Sequence, residues 1–213
     1  MSLYNAVSSC TACPLAETRS QVVFGAGNAD AELMFVGEAP GFHEDQQCIP
    51  FVGAAGKLLE RLLGEIGLSR EDVFIGNVLK CRPPGNSDPQ PDEIEACQNH
   101  LFRQIELIQP RIVATLGNFA TKLLSGNPAG ITRVHGVEQS VRLGSSQVLL
   151  YPIYHPAAAL YTRAMLSVLE QDFARLPQLL GRASAPAASD EGAAAKVAAE
   201  PITTEPATQL GLF

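Results

Sequence analysis

Four short apolar runs recur along the chain, and each is followed by residues with helical spacing. The runs lie at residues 33–36, 73–78, 112–116 and 148–154. Continuous apolar runs of this length are typical of strands that are buried on both faces of a parallel sheet. The pattern therefore predicts a central parallel sheet of about four strands.

The segments between these runs predict the helices that cover such a sheet. Residues 56–67 carry a stripe of leucines, and residues 92–108 repeat an apolar stripe as far as Pro110. Residues 118–124 and 164–180 supply two further helical patterns. Alternation of strands and helices indicates a single α/β domain with helices on both faces of the sheet, and 213 residues suffice for one substantial core.

The composition changes after Leu180. Ten of the 26 residues at positions 183–208 are alanine, mixed with Pro, Ser, Thr and Glu. Such a segment buries too little apolar surface to offset the entropy of ordering, so we expect a disordered linker. The predicted boundaries are a folded domain at 1–181, a linker at 182–208 and a short apolar segment at 209–213.

The charge and the remaining composition narrow the class of protein. The net charge of −7 argues mildly against a nucleic-acid partner, since such proteins usually carry a basic surface. Four cations nevertheless lie near the motifs described below: Lys80, Arg82, Arg133 and Arg163. An enzyme that must release its DNA quickly needs only such a local basic rim, and not a basic surface. No apolar run approaches the ~20 residues of a membrane helix, and residues 1–18 lack a secretion signal. We therefore expect a cytoplasmic protein without a membrane segment.

Five cysteines in a cytoplasmic chain are typical of metal ligands or buried thiols rather than disulfides. Cys10 and Cys13 form a C-x-x-C pair, and fifteen residues separate Cys81 from Cys97. Four thiolates of this kind suit either a tetrahedral zinc ion or a [4Fe-4S] cluster, and the spacing alone leaves both open. Cys48 is left over as a free thiol.

Three motifs follow predicted strands. Gly-Glu-Ala-Pro-Gly occupies residues 37–41, Asn77 ends the second run, and His-Pro-Ala-Ala-Ala-Leu occupies residues 155–160. These positions are the carboxyl ends of strands, where α/β domains bind their ligands. Together with the four spaced cysteines, the motifs resemble those of the iron–sulfur family 4 uracil-DNA glycosylases, from about Cys10 to Leu180.

The resemblance implies a three-layer sandwich and an enzyme of base-excision repair. Such an enzyme hydrolyses the N-glycosidic bond of uracil in DNA after flipping the base out of the stack, and leaves an abasic site. The resemblance also favours a [4Fe-4S] cluster over zinc. Its ligands would be Cys10, Cys13, Cys81 and Cys97, and its role would be structural because hydrolysis needs no electron transfer.

The resemblance assigns three side chains to the uracil base. The amide of Asn77 can pair with uracil and mismatches cytosine at both atoms, although an isolated Asn here would cap a turn. Phe51 matches the ring that stacks on the base, although an isolated Phe would belong to the core. His155 matches the histidine that donates a hydrogen bond toward uracil O2, which stabilises the departing anion.

The remaining assignments concern the first motif and the segment after His155. Gly37, Glu38 and Ala39 would bring backbone N–H groups to the base and sugar, with Glu38 positioning water or stabilising the sugar cation. Exclusion of thymine would then fall to His43 or Glu44. Leu160 is the candidate wedge for the gap that the flipped base leaves in the DNA.

The chain ends in a pattern similar to the bacterial sliding-clamp-binding motif. Its apolar positions would fill a pocket on the clamp while the glutamine binds at the rim; the residues are Gln209, Leu210, Leu212 and Phe213. We expect a monomer. Two alternatives remain: an inactive DNA-binding accessory subunit on the same fold, and a metal-containing nucleotide hydrolase. The presence of both Asn77 and His155 favours the active glycosylase.

Overall fold

The computed structural model describes residues 2–183. The predicted linker, apart from its first two positions, and the whole of the 209–213 segment lie outside the described residues. Six strands form one sheet in the order β1-β3-β2-β4-β6-β5. They are β1 (Ala26–Gly27), β2 (Leu33–Gly37), β3 (Phe74–Asn77), β4 (Ile112–Leu116), β5 (Gln139–Leu143) and β6 (Ser146–Ile153).

The four central strands are parallel and coincide with the four apolar runs of the sequence. β2 lies between β3 and β4, with Gly37 opposite Asn77, and β6 pairs with the far side of β4. The α/β class and the parallel sheet are therefore confirmed. β1 and β5 extend the sheet by antiparallel pairing at its two edges, which the apolar pattern did not predict.

Helices cover both faces of this sheet. They are α1 (Leu3–Ser8), α2 (Leu15–Thr18), α3 (Phe42–Gln47), α4 (Ala54–Glu65), α5 (Pro91–Ile108), α6 (Asn118–Ser125), α7 (Ile131–Val134), α8 (Pro156–Ala159) and α9 (Arg163–Ala183). The four helices that the sequence predicts correspond to α4, α5, α6 and α9. Within residues 2–183, no helix has both the length and the apolar character that crossing a membrane requires.

The core has two halves because successive strand residues point to opposite faces. On β2, Leu33 and Phe35 face one layer, where Phe35 stacks on Phe173 of α9 with ring centroids 5.6 Å apart. Met34 and Val36 face the other layer, which α5 and α6 cover. A sheet between two helical layers is the predicted three-layer arrangement.

Parallel strands place all their carboxyl ends at one edge of the sheet. Gly37 ends β2 and Asn77 ends β3, and His155 follows two residues after the end of β6. The three motifs that are dispersed along the sequence therefore meet at this edge. Ligands of open α/β sheets bind here.

Candidate active site and cysteine cavity

A cavity of about 590 Å³ opens at the carboxyl ends of the central strands. The predicted site residues that line it are Glu38, Ala39, Phe51, Asn77 and His155. Its volume lies within the range of small-molecule binding pockets. The structure thus brings together side chains that are up to 117 positions apart in the sequence (38 to 155).

Asn77 presents a hydrogen-bond acceptor that the protein leaves unused. The residue is only 2% exposed, and its Oδ1 atom is buried without a hydrogen-bond partner among residues 2–183. A Cβ atom at Gly37 would lie 2.5 Å from this oxygen and 2.7 Å from the Phe51 ring, so only glycine fits between them. A buried acceptor without a partner costs free energy, and a ligand that donates to it recovers that cost.

Phe51 forms the apolar wall of the cavity beside Asn77. Its backbone has φ = 56°, in the left-handed region that is uncommon for a residue with a side chain. The Phe51 and His155 rings stack with centroids 5.5 Å apart and planes 28° apart. Gly56 makes room for this conformation, since a Cβ atom there would overlap the Phe51 carbonyl.

Two side chains hold the loop that carries Phe51. The Arg70 guanidinium donates to the carbonyls of Pro50 at 2.6 Å and Phe51 at 3.0 Å. On the other side, Glu44 Oε1 accepts from the backbone N–H groups of Val52 at 2.9 Å and Gly53 at 3.0 Å. From the sequence, Glu44 is only a candidate for excluding thymine, and Arg70 is not identified as a site residue. No local motif marks Arg70, because its partners lie 19 and 20 positions earlier.

The hydrogen bonds of His155 fix its tautomer. Its Nδ1 accepts from the backbone N–H of Ala157 at 3.1 Å, so the proton of the neutral ring resides on Nε2. Burial lowers the pKa of His155 to about 4, although the Glu44 carboxylate acts in the opposite direction. The ring is therefore neutral at physiological pH, and its Nε2–H is a donor.

Glu38 is the carboxylate of the first motif, and it is partly buried in the cavity. Burial raises the pKa of Glu38 above its ordinary value, and the nearby Asp88 carboxylate raises it further. A partly desolvated carboxylate that lines a cavity can accept a proton from water or stabilise a nearby positive charge.

The outer part of the cavity is lined by more exposed side chains. His43 and Glu44, the two candidates for excluding thymine, both line it. Tyr161 also lines it and is 89% exposed. The predicted wedge Leu160 directly follows α8 and is 43% exposed; it is not among the residues that line the cavity, whereas its neighbour Tyr161 is.

A second, smaller cavity lies between the amino-terminal segment and α5. The four cysteines of the predicted metal site all line it: Cys10, Cys13, Cys81 and Cys97. Across residues 2–183, no three His, Cys, Asp or Glu side chains are grouped in a way that would hold a metal ion as they stand. The fifth cysteine, Cys48, lies elsewhere and donates from Sγ to Gln21 Oε1 at 2.8 Å.

The surroundings of this cavity fit a thiolate-bound group. The Arg19 guanidinium donates to Cys81 Sγ at 3.2 Å, and the backbone N–H of Lys80 donates to Cys97 Sγ at 3.3 Å. Burial raises the pKa of the Cys81 thiol and raises that of Cys97 to about 11. Without a metal these buried thiols would stay protonated, whereas a metal ion stabilises the thiolates.

Lys80 is not part of a basic rim, and that prediction was wrong. The side chain is 1% exposed, and its ammonium group donates to the carbonyl of Asn77 at 2.8 Å and to Gln104 Oε1 at 2.6 Å. Gln104 in turn donates to the Phe24 carbonyl at 2.8 Å. A buried lysine satisfied by neutral acceptors braces the end of β3 against α5, next to the cysteine cavity.

Comparison with known proteins agrees with this geometry. The sequence model of the uracil DNA glycosylase superfamily matches residues 24–176. The chain is 49% identical to the type-4 uracil-DNA glycosylase of Saccharolobus solfataricus over 179 residues, and this aligned region covers 82% of this chain and 83% of that protein. The type-4 enzyme of Sulfurisphaera tokodaii is 48% identical over 178 residues, 81% of each chain. That of Archaeoglobus fulgidus is 46% identical over 180 residues, 83% of this chain and 90% of its own. The chain therefore belongs to the uracil DNA glycosylase superfamily and, within it, to the type-4 family.

Proposed function

We propose that the protein is a uracil-DNA glycosylase of base-excision repair, which hydrolyses the N-glycosidic bond of uracil in DNA and leaves an abasic site. The observation that carries this proposal is the buried, unpaired Oδ1 of Asn77 beside the Phe51 ring. The N3–H group of uracil can donate to that oxygen, and the amide N–H₂ can donate to uracil O4. Cytosine offers an acceptor and a donor at the same two positions, so it would leave both atoms of Asn77 mismatched.

The stacking wall and the glycine loop complete the recognition of the base. Phe51 supplies a π-face for the flipped pyrimidine, and the backbone at Gly37 and Ala39 approaches the base closely. Recognition of an extruded base by stacking and by its Watson–Crick edge is typical of enzymes that act on bases in DNA.

His155 would assist departure of the base. As the glycosidic bond breaks, the electron pair moves to uracil, which leaves as an anion, while the sugar acquires cationic character. A neutral imidazole that donates from Nε2 to uracil O2 stabilises that anion more than the neutral ground state, and such an interaction raises the rate. Because its pKa is lowered, the His155 ring stays neutral at physiological pH, and the neutral ring still donates from Nε2.

Glu38 would act on the sugar side of the reaction. Its ionised carboxylate faces the developing cation or orients the water molecule that adds to C1′ of the deoxyribose. Water then supplies the hydroxyl group of the abasic sugar, and its proton passes to the carboxylate or to solvent. No covalent intermediate with the protein is required.

Leu160 is proposed as the wedge that enters the DNA stack. Its exposure and its place in the sequence next to Tyr161, which lines the cavity, support this role, since an apolar wedge offsets the unstacking of the flipped nucleotide. Tyr161 would contact neighbouring DNA phosphates; the exposure of its side chain, which lines the cavity, supports this role.

We further propose that Cys10, Cys13, Cys81 and Cys97 hold a [4Fe-4S] cluster. Shared lining of one cavity supports the ligand set, and soft thiolates suit iron–sulfur chemistry. The cluster would cross-link the amino-terminal segment, the loop after β3 and α5, and so stabilise the fold. All five cysteines are free of disulfides in the structure, in keeping with a reducing, cytoplasmic location.

The proposed organisation of the chain keeps the boundaries expected from its sequence. A catalytic domain at 1–181, acting as a monomer, is followed by a linker at 182–208 and by a sliding-clamp-binding motif at 209–213. Gln209, Leu210, Leu212 and Phe213 would bind the clamp of a bacterial replication machinery and bring the domain to newly made DNA.

The test is release of free uracil from an oligonucleotide with a single uracil, beside matched strands with thymine or hypoxanthine at that position. We expect uracil to appear and the strand to remain unbroken until alkali cleaves the abasic site. An Asn77→Ala, His155→Ala double variant serves as the matched control for a contaminating glycosylase. Binding of the uracil strand without any base release by the wild-type protein would instead support the accessory-subunit alternative.

A further inference from the structure

The rim of the uracil cavity carries an aromatic side chain that the reaction described above does not use. Phe42, the first residue of α3, lines the cavity and is 52% exposed. A single exposed apolar side chain is ordinary on a protein surface. Here, however, two exposed aromatic residues, Phe42 and Tyr161 (89% exposed), line the same cavity, and such rings supply contact area at a binding site.

The Phe42 ring is held in place from within the protein. The Arg82 guanidinium carbon lies over the ring, 5.1 Å from its centroid, in a cation–π contact. Arg82 is fixed in turn, because its Nε donates to Asn86 Oδ1 at 2.7 Å. The His43 ring meets Phe42 edge to face, with centroids 5.5 Å apart. Three residues thus orient one ring that remains half exposed; we name Phe42 with Arg82 the rim platform.

The cavity is larger than the uracil base requires. At about 590 Å³ the cavity can accommodate considerably more than one pyrimidine ring. In the proposed function, the uracil ring occupies only the part of the cavity that Phe51 and Asn77 line. The rim platform borders the outer part, together with Tyr161. Because adjacent nucleotides are covalently joined, the neighbours of a uracil nucleotide that is flipped inward remain near the opening that this rim borders.

The charge of the chain makes such a contact important. With a net charge of −7 the protein has a weak electrostatic attraction to phosphates, and the predicted rim cation Lys80 is buried instead. Stacking of bases on aromatic side chains adds binding free energy to the phosphate contacts, and it does so without sequence preference because every base has a π-face.

We propose that the rim platform is a stacking site for the nucleobase next to the uracil in the DNA strand. This inference rests on the proposed function, since it places the neighbouring base by the flipped uracil. Phe42 supplies the ring face, Arg82 holds that ring and adds positive charge toward the phosphates, and the contact tolerates every base.

The experiment measures binding to a single-stranded oligonucleotide with an uncleavable 2′-fluoro-deoxyuridine at its centre. In a second series, one flanking nucleotide at a time is replaced by a base-less tetrahydrofuran unit. We expect the wild-type protein to lose about tenfold in affinity when the base is missing at one particular neighbouring position. The Phe42→Ala variant loses about tenfold on the intact strand and nothing further on that base-less strand, because both changes remove the same contact.

Phe42→Trp should bind the intact strand at least as tightly as wild type, since it retains a stacking ring. Leu107→Ala is the matched control: Leu107 is 57% exposed on α5, and the cavity lining does not include it. Unchanged affinity of Phe42→Ala, or losses that simply add at every flanking position, would overturn the proposal. Because binding is measured without turnover, the two failures can be told apart. Binding of the uracil strand without base release would count against the proposed catalysis, whereas base release with unchanged binding by Phe42→Ala would count against the rim platform alone.

Discussion

Arg70 donates a hydrogen bond of 3.0 Å to the backbone carbonyl of Phe51, whose backbone lies in the left-handed region. That conformation costs a residue with a side chain about 1–3 kcal/mol, and it persists only where the surroundings enforce it. Arg70 also donates to Pro50, and Glu44 binds the next two N–H groups of the same loop. The stacking wall of the cavity therefore depends on a guanidinium and a carboxylate that belong to other parts of the chain.

Replacing Arg70 by methionine should weaken binding of free uracil, measured as inhibition of the glycosylase, by about tenfold. The two loop carbonyls lose a charged donor, which costs about 1–3 kcal/mol, and the Phe51 ring loses its fixed orientation. The metal content should stay at the wild-type level. Arg61→Met is the matched control, because Arg61 makes only half-exposed ion pairs with Glu65 and Glu170. Wild-type inhibition by uracil in Arg70→Met would contradict a positioning role.

Asn77→Asp should slow uracil excision and narrow the preference for uracil over cytosine. An ionised carboxylate cannot donate to uracil O4, yet it can accept from the amino group of cytosine. Loss of one such hydrogen bond amounts to about 10–100-fold in rate. The measurement is single-turnover excision from matched uracil and cytosine strands.

The control for this substitution is Asn118→Asp. Asn118 follows β4 at the same edge of the sheet, and its Oδ1 accepts from the Ile131 N–H at 2.8 Å, a role that aspartate retains. Near wild-type activity is expected for this control. Full activity and selectivity in Asn77→Asp would show that the amide does not read the base.

The sequence predicted those parts of the fold that local pattern determines. Strand 112–116 coincides with β4, because all its residues are buried and apolar or small. β5 was missed because it is an edge strand whose side chains alternate between partly buried and exposed, and β1 because two residues carry no pattern. Arg70 and the burial of Lys80 were beyond prediction, since both depend on contacts between distant segments.

His155→Ala should lower the rate of the chemical step by about 10²–10³, the loss typical of removing one donor to a developing anion. Binding of an uncleavable uracil strand should change much less, because the anion forms only in the transition state. Single-turnover kinetics at saturating enzyme measure the first quantity. A rate near that of wild type would remove His155 from the mechanism.

The same residue predicts how the enzyme responds to pH. Because burial lowers the pKa of His155 to about 4, lowering the pH from 7 to 5.5 should leave its ring neutral and its Nε2–H in place. Nuclear magnetic resonance of the imidazole should show no protonation of His155 in this interval, and the signal is assigned by its loss in His155→Gln.

The same shift links the stability of the fold to pH. The His155 side chain takes up a proton near pH 6.5 in the unfolded chain but only near pH 4 in the folded protein, so it lowers the stability of the fold as the pH falls from about 6.5 toward 4. Protonation of His155 with an ordinary midpoint would contradict this account.

Purified protein should be brown and contain about four iron atoms per chain, with no zinc, if the four cysteines hold the proposed cluster. Substituting serine for Cys81, whose side chain is buried in the shared cavity, should lower the iron content and the thermal stability. Cys48→Ser is the matched control and should retain full iron content, because Cys48 lies outside that cavity. Metal analysis that finds one zinc per chain would reverse the choice of metal and leave the fold unchanged.

Deleting residues 209–213 should abolish binding to a bacterial sliding clamp and leave excision from a short oligonucleotide unchanged. All the residues that line the cavity lie between Glu38 and Tyr161, far from this segment in the sequence, so we expect removal to leave the cavity intact. A coil of the 26 residues at positions 183–208 would reach roughly 25–30 Å, far enough for a tethered domain to search DNA beside the clamp. Tethering raises the effective concentration of the enzyme at the fork without any new catalytic contact.

Replacement of Leu212 and Phe213 by alanine in the full-length chain separates loss of apolar contacts from loss of length. We expect both variants to lose clamp binding and to excise uracil from short DNA as fast as the wild-type protein. If the truncated protein binds the clamp as well as the wild-type protein does, residues 209–213 are not a clamp-binding motif.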